Sequence, residues 1–258
     1  MSDSLSRQTE PPLVFARLFA VVVAGAAGGS PQAAMPVSVM SSLWWAGIEA
    51  QSNRASTELP LRHLRTLRIT EPLRQAWADD LEQAAAFPEP HPLGHDDVEQ
   101  VLKPGASNRN TAYARDALMA ARTCGVADTA EWYAFGCLYG LLVDQAAANS
   151  GGPSEIPPLL VAHACSLMDE RRRGHVRQLR HDATWDVVAK ATLRDVLTAP
   201  AAVELYNEEV RRLHSRALAV LARSGQPNPF SALLRARLDG LLQHSGVRPR
   251  EVVGVFSA

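Results

Sequence analysis

The nineteen residues from Glu131 to Asn149, EWYAFGCLYGLLVDQAAAN, leave this chain little choice of architecture. Apolar side chains recur at Trp132, Phe135, Tyr139, Leu142, Val143 and Ala146, and steps of three and four place them on one face of a helix. A helix this apolar has to be enclosed by other elements. On a neighbouring face Gly136 and Gly140 stand four apart, stacked one above the other, and offer no side chain to an approaching backbone. Asp144 and Ala148 continue that row, which marks it as a place for a pocket.

At 258 residues, 47% of them apolar and 21% charged, the chain is long enough to bury a full core as one domain. Long Ala/Leu/Arg segments, few alternating β-branched runs and breakers at helix-like intervals predict an all-α antiparallel bundle. One domain over residues 11–258 is expected, after a polar tail at 1–10. Pro11 and Pro12 open the first helix, and Gly28 with Gly29 ends it. Residues 72–87 form another, followed by a loop rich in proline (Pro88, Pro90, Pro92) and by Asp96 and Asp97 as the acidic cap of the next helix. Tyr206, Val210, Leu213, Ala217 and Leu221 line the inner face of a long helix, with Glu208 and Arg212 as an i,i+4 pair. Asn228 and Pro229 cap the last one, whose Leu233, Leu234, Leu238, Leu241 and Leu242 are expected to face inward.

A net charge of −1, with Lys only at positions 103 and 190, supplies no long-range attraction to nucleic acid or an anionic membrane. Cys124, Cys137 and Cys165 are an odd set without metal-ligand spacing and are expected as packed thiols in a reducing, cytoplasmic setting. The apolar run from Leu13 to Ala27 is interrupted by Arg17 and falls short of the ~20 residues of a membrane span. Asp79, Asp80 and Glu82 have the look of a metal motif, but such clusters are usually a solvated helix face. His91 and His95 lose helical ligand geometry to Pro92 and Gly94. His163, His175, His181 and His214 share no ligand spacing, and Arg171 to Arg173 form a solvated basic run.

The central stretch resembles the helix of the trans-isoprenyl diphosphate synthases that carries their second metal motif, with Phe135, Gly136, Tyr139, Gly140, Leu141, Val143, Asp144, Gln145 and Ala146 in phase. Near the start, Arg17, Gly28, Gly29, Pro31, Ala33, Ala34 and Pro36 resemble the opening of the same family, and the two C-terminal helices resemble its final hairpin. The resemblance implies an isoprenoid-synthase-like bundle, shortened at the N-terminus and in the middle. It also implies where chemistry is missing. The first aspartate motif falls on Ser52, Asn53 and Ser56, and the carboxylates of the second on Ala147, Ala148 and Gly151. In the family those carboxylates hold Mg²⁺ against an allylic diphosphate, and Ser, Asn, Ala and Gly do not replace hard anionic ligands.

The resemblance thus implies no catalytic residue and no resident metal. Arg17, Arg54, Asp144 and Asn149 remain as residual ligand-binding positions, and Trp44 and Trp45 fall where bulky side chains block the family's elongation tunnel. The leading expectation is a catalytically silent member acting as partner or regulatory subunit of an active prenyl diphosphate synthase, in a dimer or hetero-oligomer, with Trp77 as an interface anchor. Two alternatives stay open: a divergent active prenyltransferase or terpene synthase using Mg²⁺ in a non-standard way, and a hydrophobic-ligand or scaffold protein on the same fold.

Overall fold

The computed structural model describes residues 12–52, 62, 97–103, 107–149, 156–183 and 186–247. Among the described residues the chain forms ten α-helices and one 3-10 turn, with no strand. They are α1 (Pro12–Ala26), the 3-10 turn (Pro31–Ala34), α2 (Met35–Ser52), α3 (Val98–Leu102), α4 (Asn108–Thr123), α5 (Thr129–Asn149), α6 (Pro158–Ser166), α7 (Glu170–Asp182), α8 (Val187–Leu197), α9 (Pro200–Ser224) and α10 (Pro229–His244). None of these helices is long and apolar enough to cross a membrane.

Local chemistry sets the helix ends. At the end of α1, Gly28 takes a φ of 83°, its N–H donates to the Gly25 carbonyl, and the Gly29 N–H donates back to Ala24. That paired closure satisfies carbonyls the helix leaves open, and it needs a left-handed residue that glycine adopts without a Cβ clash. Gly125 closes α4 in the same way, with its own N–H bonded to Arg122 and that of Val126 to Ala121. Helix starts are capped by short polar side chains: Asp97, Ser107, Asp169, Asp186 and Asn228 each accept from a backbone N–H two or three residues on. Each such cap stabilises its helix by about 1 kcal/mol.

The predicted central helix is α5, and α4, α6, α9 and α10 pack around it, while α1 bridges α2, α4 and α10. All six of its expected inward residues, Trp132, Phe135, Tyr139, Leu142, Val143 and Ala146, are buried. Phe15 and Phe19 from α1, Trp45 from α2 and Tyr113 from α4 meet them in one aromatic cluster, with Phe19 centred 4.7 Å from Tyr139 and 4.8 Å from Tyr113. Offset and edge contacts of this kind add about 0.5–1.5 kcal/mol each beyond the area they bury.

Two expectations at the C-terminal helices need correction. Leu233 is exposed and Leu241 half-buried, while Leu234, Leu238 and Leu242 are buried; one residue is about 100° of helix, so Leu233 falls behind the stripe that the i,i+4 set defines. Arg212 pairs with Glu209, Nη2 to Oε1 at 2.7 Å, rather than with Glu208. Glu209 lies at the edge of the core, its side chain 12% exposed, and draws the guanidinium inward. The expected tail at 1–10, the 72–87 helix with Trp77 and the proline-rich loop lie outside the described residues.

The glycine row packs against α4. A Cβ on Gly136 would stand 2.3 Å from the Tyr113 carbonyl oxygen, and one on Gly140 2.7 Å from the Asn110 Cα. As the α5 residue number rises by four the α4 partner falls by about as much, so the two helices run antiparallel at backbone contact. Gly174 in α7 has open space where its Cβ would lie. Gly136→Ala is therefore expected to destabilise the fold by about 1–3 kcal/mol through overpacking, and Gly174→Ala to stabilise it by about 0.5–1 kcal/mol. Thermal unfolding of both variants checks the opposite signs.

Candidate functional site

Tyr113 is the point where the buried aromatic and polar residues of the bundle meet. Its ring lies edge-on to Phe19 and, at 5.0 Å, to Tyr139, with Trp45 tilted against it at 5.6 Å. Burial pushes its phenol far above the ordinary tyrosine range; the charges of Arg109 and Arg237 act to lower it, and those of Asp116 and Asp144 to raise it. Burial likewise holds Tyr139 well above its usual value. Both phenols therefore stay protonated. The Arg237 guanidinium from α10 sits 4.5 Å over the Phe15 ring, covering the aromatic cluster from one side.

The carboxylates around this cluster are each held by a serine. Ser107 Oγ donates to Asp144 Oδ2 at 2.6 Å, and Ser41 Oγ donates to Asp116 Oδ2 at 2.5 Å. Arginines stand one step further off: Arg109 Nη1 at 4.0 Å from Asp144, and Arg115 Nε at 3.9 Å from Asp116. The Arg115 guanidinium also lies 5.2 Å over the Trp44 ring. Two buried amides extend the pattern. Asn110 Nδ2 donates to the Cys137 carbonyl at 2.7 Å, joining α4 to α5; Gln145 donates to the Leu141 carbonyl and accepts from the Leu159 N–H, tying α5 to the first turn of α6. Ser41 with Asp116, Ser107 with Asp144, Asn110 and Gln145 thus each link two helices.

Of the residual positions, Asp144 is the one whose side-chain contacts, to Ser107 and Arg109, the structure describes. Along the row Gly136, Gly140, Asp144 the α4 backbone fills the space over both glycines, and Ser107 at the start of α4 engages the carboxylate. Trp44 and Trp45 are buried, 5.1 Å apart and nearly perpendicular, and fill the space between α2 and α4. Arg17 is exposed on α1, and its carbonyl accepts from Ser38 Oγ. Ala147 is half-buried and, with Ala148 and Asn149, belongs to the last turn of α5, as Ser52 does to that of α2. Asn53, Arg54, Ser56 and Gly151 lie outside the described residues, as do Asp79, Asp80, Glu82, His91 and His95.

Among the described residues no three His, Cys, Asp or Glu side chains converge as a metal ligand set. His214 Nε2 pairs with Asp239 at 2.9 Å across α9 and α10, His163 is buried in α6, and His175 and His181 are exposed. An open groove of about 750 Å³ at the α9–α10 turn, between Leu221, Asn228 and Arg235, is lined by none of the residues expected from the sequence to bind ligand or metal. Sequence reasoning missed Asp116, which is fully buried. A signal for it existed: Ala112, Asp116 and Ala120 recur at i,i+4 and are all 0% exposed, so a carboxylate stands in an apolar row.

The arrangement holds α4 in register with α2 and α5. Ser107 uses its hydroxyl hydrogen on Asp144 and its oxygen lone pair on the Asn110 N–H, so one side chain joins a helix cap to a helix contact. Ser107→Ala and Asp144→Ala are each expected to destabilise the fold by about 1–3 kcal/mol. The double variant is expected to cost clearly less than their sum, a coupling visible in a denaturant double-mutant cycle.

No family model, curated protein or solved structure matches this chain, so the reading of the site rests on its own residues.

Proposed function

We propose that this chain is a catalytically silent relative of the trans-isoprenyl diphosphate synthases and serves as partner or regulatory subunit of an active prenyltransferase. One observation carries the reading: Asp144, the acid in the helix that resembles the family's second metal motif, accepts from Ser107 at 2.6 Å, in a row whose two glycines are covered by the α4 backbone. An allylic diphosphate ionises when a divalent cation neutralises the leaving charge, and that cation needs several converging oxygen anions. A carboxylate fixed as a helix latch is a poor recruit for that work. The buried pair Trp44 and Trp45 supports the same reading, since it fills interior space that a growing prenyl chain would need.

A subunit must also present a face. Leu18 on α1 and Met35 and Val39 on α2 are large apolar side chains 41–49% exposed. Ser38 bonds the Arg17 carbonyl, so Leu18 and Val39 directly follow the two residues where α1 and α2 are joined. An apolar face of this kind suits a subunit contact, and stable contacts bury well over ~1,000 Å² in total.

The purified chain, given Mg²⁺, isopentenyl diphosphate and dimethylallyl, geranyl or farnesyl diphosphate, is expected to make no elongated product. Co-expressed with a synthase encoded beside it, it is expected to co-elute on size exclusion with light scattering and to change the synthase's product length. Met35→Asp with Val39→Asp is expected to abolish co-elution. Steady Mg²⁺-dependent turnover by the chain alone overturns the silent reading, and a monomer that leaves product length unchanged overturns the subunit role.

A further inference from the structure

Helix α6 is the joint between the core and the α7–α8 hairpin. Seven of its residues, Leu159 to Cys165, are buried, and it packs against α3, α5, α8 and α9, while α7 rests on α8. Its start is fixed to α5 through the Leu159 N–H and the Gln145 side chain at 3.1 Å. In the middle of this buried run stands His163, 8% exposed, with no hydrogen-bond partner for Nε2. A polar ring atom in that position has lost its water without replacing it, and a second ring proton makes the loss larger because an imidazolium is a charge and a double donor.

We propose that His163 is an acid-sensitive latch: protonation of its ring loosens α6 from α9 and from the α7–α8 hairpin, which packs on α6 through α8. Of the charged residues on the helices packed against α6, among them Glu99 on α3, Asp144 on α5, Lys190, Arg194 and Asp195 on α8, and Glu208, Glu209, Arg211 and Arg212 on α9, the Glu209 carboxylate is the one whose charge acts on the ring. It favours the imidazolium, yet its Oε1 is already taken by Arg212 Nε and Nη2 at 3.1 and 2.7 Å. Burial wins, and the docked ring holds its proton less tightly than a free histidine does. The sign follows from linkage. The undocked helix, with an ordinary histidine near pH ~6.5, binds more protons than the docked one, so docking is at full strength above that pH and weakens as pH falls through the lower docked value.

The test is native-state hydrogen exchange at pH 7.5 and 5.5, corrected for intrinsic rates, together with NMR titration of the His163 ring. Protection of α6, α7 and α8 amides is expected to fall several-fold at pH 5.5 while α4 and α5 hold, and His163→Leu and His163→Gln are expected to remove that pH dependence. The wild-type ring is expected to titrate below the ordinary histidine value, and lower still in Glu209→Gln. Equal protection at the two pH values, a pH-dependent loss that persists in both His163 variants, or a ring that titrates at or above the ordinary value overturns the latch.

Discussion

Everything else in this bundle depends on two helices meeting without side chains between them. Where Gly136 and Gly140 face Tyr113 and Asn110, the backbones of α5 and α4 are in contact, and this approach leaves no freedom for either helix to slide. It brings the Asn110 amide to the Cys137 carbonyl and Ser107 to Asp144, bonds that side chains as short as Asn, Ser and Asp reach only across such a gap. It also sets Tyr113 against Tyr139, and through them the contact of α1, whose Phe19 lies against both rings. Glycine is unfavourable within a helix by roughly 0.5–1 kcal/mol relative to alanine. Backbone contact and the hydrogen bonds it permits offset that cost.

Buried polar groups in this core act as register marks more than as sources of stability. Asp116 is fully buried, and a carboxylate taken out of water loses several kcal/mol of hydration that a serine hydroxyl and a nearby arginine recover in part. An apolar residue of similar volume would pack there at lower cost. What the carboxylate adds is selectivity: α2 docks on α4 with Ser41 opposite Asp116 and in no neighbouring register, since a shift of one residue strands a charge. Gln145 does the same for α6, because its carbonyl oxygen satisfies an N–H in a helix start that has no polar cap of its own. The buried indole N–H groups of Trp44, Trp45 and Trp132, which have no hydrogen-bond partner, show the opposite choice, with ring volume in the core outweighing the loss of one donor bond each.

Patterns confined to one helix were legible in the sequence. The α5 stripe, the Gly28 stop, the Asp97 and Asn228 caps and the inner face of α9 all follow from i,i+3 and i,i+4 spacing or from the φ a residue tolerates. What depends on a second helix was less so. The glycine row was recognised as a site of close approach, but sequence alone does not say whether a backbone or a ligand approaches, and here it is α4. Asp116, Ser41 and Asn110 escaped notice because a polar residue in a helix reads as solvent-facing until its partner helix is known. The Glu208–Arg212 expectation failed for a related reason: i,i+4 and i,i+3 acids compete for one arginine, and the degree of burial of Glu209 decided the outcome.

The latch at Asp144 also constrains any chemistry there. A cation that took the Oδ2 lone pair now facing Ser107 would displace its hydroxyl, and the same hydroxyl caps α4 by accepting from the Asn110 N–H. Moving Ser107 Oγ away weakens the cap as well as the bond, so a cation at that oxygen and the first turn of α4 compete. Because Asn110 itself ties α4 to α5 at Cys137, the loss passes directly to the glycine contact on which the bundle is built. New acids at Ala147 and Ala148 alone would leave that competition in place: the added charges would stand near a carboxylate that is still held by its serine, repelling it without freeing it. A metal site that used Oδ2 would thus gain from a different start to α4, one whose cap does not draw on Asp144.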